Sequence, residues 1–114
     1  MKDKLTKEQS AHLISLGVPK EKATGNYSEI EIFDYPVFTL TDILEILPKE
    51  IDYYNRPCEL SIWFNRTYQK WYVGYLDFSI FLEETRFMKE ELIDSLYSLC
   101  VFCLENKLLK FEKL

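Results

Sequence analysis

The sequence predicts an α+β fold, a small antiparallel sheet built on a hairpin of residues 58–64 and 70–76 and packed on about three helices, with the C-terminal helix central. Three observations carry this expectation. Residues 90–106, E-E-L-I-D-S-L-Y-S-L-C-V-F-C-L-E-N, place apolar side chains at helical spacing over the longest such run in the chain. Two stretches, 59–64 and 70–75, alternate apolar and polar side chains instead, on either side of a short loop. Upstream, Thr6 with Gln9 and Thr39 with Asp42 have the spacing of capping boxes.

Turning residues 88–105 as a helix puts Leu92, Ile93, Leu96, Tyr97, Leu99, Cys100, Cys103 and Leu104 on one arc of roughly 160°. Glu90, Glu91, Asp94, Ser95, Ser98 and Glu105 take the other arc, so this helix has one core face. Phe102 falls among the polar residues and needs cover from the tail at 108–111, from another segment or from a partner. Asn106 suits the left-handed end of the helix, with Lys107 beside its last carbonyls.

Residues 1–4 are charged and are expected to fray. Thr6 then starts a helix over residues 7–16, with Ala11, Leu13, Ile14 and Leu16 apolar and Gly17 ending it. Pro19 suits the first position of one further helical turn. Residues 24–36 read as loop with a strand-like piece where Ile30 and Ile32 alternate with Glu29 and Glu31. Thr39 opens a helix over 40–47, with Leu40, Ile43, Leu44 and Leu47 on one side, and Pro48 stops it because proline has no N–H to donate.

In the hairpin, Asn65 to Gln69 form the loop. Phe64 opposite Trp71 then sets Ile62 against Val73 and Leu60 against Tyr75, one apolar face toward the helices. Trp63 and Tyr72 meet on the other face. Residues 76–86 fit a third strand through Phe78, Ile80 and Leu82, and fit a helical face through Phe78, Phe81 and Leu82; the strand is favoured. The expected core is Leu13, Leu16, Leu40, Leu44, Leu47, Ile62, Phe64, Val73, Leu92, Leu96, Leu99 and Cys103.

A chain of 114 residues makes one domain, 1–114, that can bury a core without a disulfide staple. Hydrophobic content of 47% excludes an intrinsically disordered chain. The net charge is −5, and the acidity sits in the middle: residues 26–59 carry Lys49 and Arg56 against eight carboxylates. Generic nucleic-acid binding needs clustered lysine and arginine, so this balance disfavours it. An acidic middle is usually a solvated face; its functional alternative is a patch for a basic partner.

Three cysteines and no N-terminal apolar signal segment point to the cytoplasm with reduced thiols, and no apolar run is long enough to span a membrane. Cys100 and Cys103 form a C-x-x-C on the apolar face of the last helix, where core packing explains them better than a redox or zinc site. No cofactor or metal site is expected. His12 is the sole histidine, with no second acid–base group or ligand placed beside it by the sequence, so catalysis is not expected; polar residues converging on it would reverse that. Glu83-Glu84 and Glu90-Glu91 are adjacent pairs whose side chains diverge, and Gly74 stands in no phosphate-binding loop. The candidate contact surface is aromatic: Trp63 and Tyr72, with Tyr53, Tyr54 and Tyr68 near in sequence, types enriched where proteins anchor one another. Cover by residues 27–36 is the competing structural explanation.

The stretches T-K-E-Q-S-A-H-L-I-S-L-G-V at 6–18, F-T-L-T-D-I-L-E-I-L-P-K-E-I at 38–51, W-Y-V-G-Y at 71–75 and E-L-I-D-S-L-Y at 91–97 carry a resemblance. Together they resemble small uncharacterised proteins of phage-like and other mobile elements of gut anaerobic bacteria. That resemblance implies a small cytoplasmic protein and assigns no activity to any residue. The function expected is a non-catalytic protein-interaction module, self-association included. The alternative is an acidic inhibitor or nucleic-acid mimic that binds a basic protein.

Overall fold

The computed structural model describes residues 2–30, 33–77 and 80–111. Helix α1 (Lys7–Ser15) is followed by a 3-10 turn (Lys20–Lys22), strands β1 (Gly25–Ile30) and β2 (Phe33–Val37), and helix α2 (Leu40–Ile46). Strands β3 (Glu50–Tyr53), β4 (Arg56–Asn65), β5 (Lys70–Asp77), β6 (Ile80–Phe81) and β7 (Phe87–Lys89) come next, and helix α3 (Leu92–Glu105) ends the set. The fold is α+β as expected.

Both upstream helices begin as their caps dictate. The Gln9 amide donates to Thr6 Oγ1 at 3.0 Å while the Thr6 amide donates to Gln9 Oε1 at 2.9 Å, and Thr39 with Asp42 repeats the exchange. Each box satisfies two N–H groups that the first turn of a helix leaves without partners. Pro19 caps its 3-10 turn from outside instead of opening it. Of residues 1–4, expected to fray, Met1 lies outside the described residues, while Lys2 and Asp3 are tied down: Lys2 Nζ lies 2.9 Å from Asp94 Oδ1, and the Asp3 carbonyl accepts the Leu40 amide at 2.9 Å.

Antiparallel strands in the order β3-β4-β5 form the main sheet, and β6 and β7 pair with successive parts of the far edge of β5. The expected register of the central hairpin is present in full: Leu60 faces Tyr75, Ile62 faces Val73, Trp63 faces Tyr72 and Phe64 faces Trp71. Asn65 Oδ1 starts the turn by accepting the Thr67 and Tyr68 amides at 2.9 and 3.0 Å. Helix α3 packs on the inner face of β5 and β7 and against α2. Leu92, Ile93, Leu96, Leu99, Cys100 and Cys103 are buried there with Val73 and Tyr75, joined by Leu13, Phe38, Ile43 and Leu47 from the other elements. A buried polar set locks this layer. Tyr75 Oη donates to the Pro48 carbonyl at 2.7 Å, the Tyr75 amide donates to Thr85 Oγ1 at 3.1 Å, and Ser95 Oγ donates to the Trp71 carbonyl at 2.8 Å.

Several expectations need correction. Helix α3 starts at Leu92, not at residue 88, because Phe87–Lys89 pairs with β5, Tyr72 facing Met88. Ser95, expected on the polar arc, is buried because its hydroxyl serves the sheet backbone. The left-handed residue that ends α3 is Lys107 (φ 60°), not Asn106. Leu108 then donates to the Cys103 carbonyl and Lys107 to the Leu104 carbonyl, the paired bonds of a Schellman ending. Phe102 is covered by another segment, with Tyr53 and Phe87 at ring distances of 6.1 and 6.0 Å.

The expected loop at 24–36 contains a two-stranded hairpin, in which Gly25 pairs with Val37 and Tyr27 with Tyr35; Ile32, part of the alternation that suggested a strand, lies outside the described residues. Strand β3 went unforeseen. It joins β4 through Tyr54 and Asn55, both at positive φ, as a two-residue hairpin turn requires. Of the third strand expected over 76–86, residues 76 and 77 belong to β5, Phe78 lies outside the described residues, β6 is only Ile80–Phe81, and a 3-10 turn follows at Glu83–Thr85 before β7. Of the expected core, Leu16, Leu40, Leu44 and Phe64 are half-buried, and Ile62 is 38% exposed because β4 continues past the end of β3 and leaves it at an open edge.

Candidate interaction surface

Strand alternation sends Glu59, Ser61 and Trp63 of β4 to the face opposite the one that packs on α3, together with Tyr72 and Leu76 of β5. Trp63 is 52% exposed and stands edge-on to Tyr72, with centroids 5.5 Å apart and planes at 85°. This edge-to-face arrangement suits the quadrupoles of the two rings. The Arg86 guanidinium lies 5.8 Å from the Tyr72 ring, and Met88, across the ladder from Tyr72, is 46% exposed. Trp63, Tyr72 and Met88 thus make one row across three strands. Tyr72 is the half-buried middle, and the two ends remain open to solvent.

The other three expected aromatics do not all join this row. Tyr68 is exposed in the turn that follows β4, at the Trp63 end of the hairpin. Tyr54 is exposed in the turn that precedes β4, while Tyr53 is half-buried, 4.6 Å from Tyr54 and against Phe102. Seven residues of extended chain, roughly 24 Å at the rise of a strand, separate position 56 from Trp63. The five residues therefore form two groups, one at each end of β4. Met88 was missed because β7 is three residues long and its sequence continues the helical pattern of α3; only the pairing with β5 reveals it.

A second feature, at the end of the sheet where β3 pairs with β4, is electrostatic. Glu50, Asp52, Glu59 and Asp77 line a depression of about 630 Å³ with Arg56, Pro57 and Leu76. Arg56 Nη1 lies 3.5 Å from Asp77 Oδ2. Glu50 and Glu59 face each other across the β3–β4 ladder, with no cation bonded to either among the described residues. Because the Leu60 amide donates to the Lys49 carbonyl at 2.8 Å, this is a non-hydrogen-bonded pair, the kind in which facing side chains come closest. Like charges directly opposite one another oppose folding.

His12 lies at the rim of a shallow groove of about 460 Å³ bordered by Phe87, Tyr97, Ser98, Val101, Phe102 and Glu105. Its Nδ1 is 2.6 Å from Tyr97 Oη. Burial, then the neighbouring Cys100 and Glu105, raise the Tyr97 phenol above its ordinary pKa, so at neutral pH it keeps its proton, and the imidazole tautomer sets which partner donates. The rest of the lining is apolar except for Ser98 and Glu105. The three thiols are free and buried. Burial pushes Cys100 up to about 12 and Cys103 up to about 11, the latter despite the hydrogen bond with Tyr75, so both are protonated at neutral pH. Among the described residues no group of three or more His, Cys, Asp or Glu is arranged to hold a metal ion, and no helix is long and apolar enough to cross a membrane.

Compared with known protein families, with curated proteins and with solved structures, the chain finds no match.

Proposed function

We propose that this chain is a non-catalytic protein-interaction module of the cytoplasm, and that it contacts its partner through the outer sheet face centred on Trp63. The observation that supports this reading is the row Trp63–Tyr72–Met88. A large indole, half open to water, is held by a neighbouring ring and extended by an exposed methionine. Such an anchor arrives with little side-chain freedom left to lose, which is what a contact residue needs. The resemblance to small proteins of mobile elements fits a module that acts on a host component.

Capture from host-cell lysate tests the proposal, with the wild-type chain compared with a folded Trp63→Ala/Tyr72→Ala variant. A partner held by the wild type and lost by the variant is the expected result; a partner held equally by both rejects the outer row as the contact.

A second reading rests on the Glu50–Glu59 pair: an acidic inhibitor or nucleic-acid mimic whose carboxylates receive lysines or arginines of a basic protein. Salt separates the two. Attraction between exposed charges is screened within about 10 Å at 0.1 M salt, so this partner would be released by moderate ionic strength, whereas an aromatic contact would survive it.

A further inference from the structure

We infer that a second copy of this chain docks on the open edge of β4, pairing residues 61–65 antiparallel with themselves about a two-fold axis at Trp63. The inference deepens the proposed role of Trp63 and rests on its exposure, but it requires no other protein.

Backbone direction alternates along β4. Cys58 and Leu60 point their N–H and C=O groups toward β3, and Glu59, Ser61, Trp63 and Asn65 point theirs toward β5. The last bond on the β3 side is Leu60 to Lys49, so the groups of Ile62 and Phe64 project past the end of β3, and no described residue bonds them. Proteins blunt such edges with lysine, proline or a bulge. Here residues 60–65, L-S-I-W-F-N, hold no charge and no proline, and the register with β5 runs unbroken from Glu59 to Asn65. Ile62 is 38% and Trp63 52% exposed at this edge.

The occupant is a strand because the edge offers only backbone donors and acceptors in strand geometry. It is a second copy because the segment complements itself. With Trp63 on the axis, the Ile62 amide and carbonyl meet the carbonyl and amide of Phe64 in the second copy, and symmetry repeats the exchange, giving four backbone hydrogen bonds. Ile62 then packs beside the second copy's Phe64 on the inner face, and the two Trp63 side chains meet on the outer face. The net charge of −5 does not oppose this, since residues 60–65 are neutral and the carboxylates of β3 lie beyond Leu60. A contact of this size is far below that of a permanent dimer, so the association depends on concentration.

Sedimentation of the purified full chain is the test. The mass is expected to double between low micromolar and near-millimolar concentration, and Ile62→Lys, checked as folded by circular dichroism, is expected to remain a monomer throughout. Met88→Lys, exposed but two strands away, should still dimerise. A register-specific arm uses facing thiols: mild oxidation should cross-link Trp63→Cys as a dimer, because residues facing across a non-hydrogen-bonded pair have Cα atoms about 4.5 Å apart. Ser61→Cys, which faces Asn65 of the second copy, should not cross-link. A wild type that stays monomeric, an Ile62→Lys chain that still doubles its mass, or Ser61→Cys cross-linking as fast as Trp63→Cys each overturns the inference. A monomeric wild type leaves the partner reading standing, since capture by the outer row is measured with another protein present.

Discussion

The two faces of the β4–β5 hairpin are made by alternate residues of the same strands, yet they differ in almost every physical respect. On the inner face, Val73 and Tyr75 are fully buried under α3; the Tyr75 hydroxyl donates to the Pro48 carbonyl, its amide donates to Thr85 Oγ1, and its carbonyl accepts the Leu82 amide. On the outer face, Trp63 and Met88 stay open, and the Glu50–Glu59 pair sets two carboxylates opposite each other. The inner face is where folding free energy is gained. The outer face holds side chains that contribute little to stability or oppose it, and these are the side chains that the proposed contact would use.

Substitutions should separate the faces most sharply at the core. Leu99→Ala removes a fully buried side chain from α3 and should cost about 3 kcal/mol, within the usual 2–5 for such a cavity, read as a lower urea midpoint at unchanged slope. Asp42→Ala should come next, at about 2 kcal/mol. Its carboxylate accepts the amides of Thr24 and Thr39 at 2.8 and 2.9 Å and the Thr24 hydroxyl, tying β1 to the start of α2.

That residue also sets a pH dependence. Burial alone would raise the Asp42 carboxyl, but the hydrogen bonds from Thr24 and Thr39 outweigh it and hold its pKa below the ordinary 3.8. A lowered folded pKa means the stabilisation is complete above the ordinary carboxylate range and is lost as pH falls through the folded value. Acid unfolding of the wild type should therefore be steeper than that of Asp42→Asn. The thiols act at the other end. The unfolded chain ionises near 9 while Cys100 and Cys103 wait until about 12 and about 11, so stability should decline as pH rises above 9. At neutral pH, alkylation of either thiol should follow global unfolding.

The smallest effects belong to the outer row. Trp63→Ala or Met88→Ala should change stability by less than about 1 kcal/mol, because each side chain is about half exposed before substitution. A loss of several kcal/mol at Trp63 would place it with the core and remove the contrast between the faces.

What was legible in the sequence follows the same division. Alternation in 59–64 and 70–75 set the hairpin register, and hydroxyl-to-acceptor spacing located α1 and α2, because these signals are local. Strand β3 escaped because it is short and its turn, Tyr54-Asn55, lacks the glycine that usually marks one. Strand β7 escaped because Phe87–Lys89 becomes a strand only by pairing with β5, and with it went Met88. Ser95 and Ile62 were assigned to the wrong environments for one reason. Periodicity states which way a side chain points, but not whether a backbone carbonyl waits there, as Trp71 does for Ser95, or whether the neighbouring strand has already ended, as β3 has before Ile62.

The most direct measurement is acrylamide quenching of Trp63 fluorescence in a Trp71→Phe chain, made at sub-micromolar concentration and repeated with the captured partner bound. The account predicts ready quenching of the free chain and marked protection in the complex. An indole already protected in the free chain would show that the outer row is closed from within, and one equally quenched in the complex would show that the partner binds elsewhere.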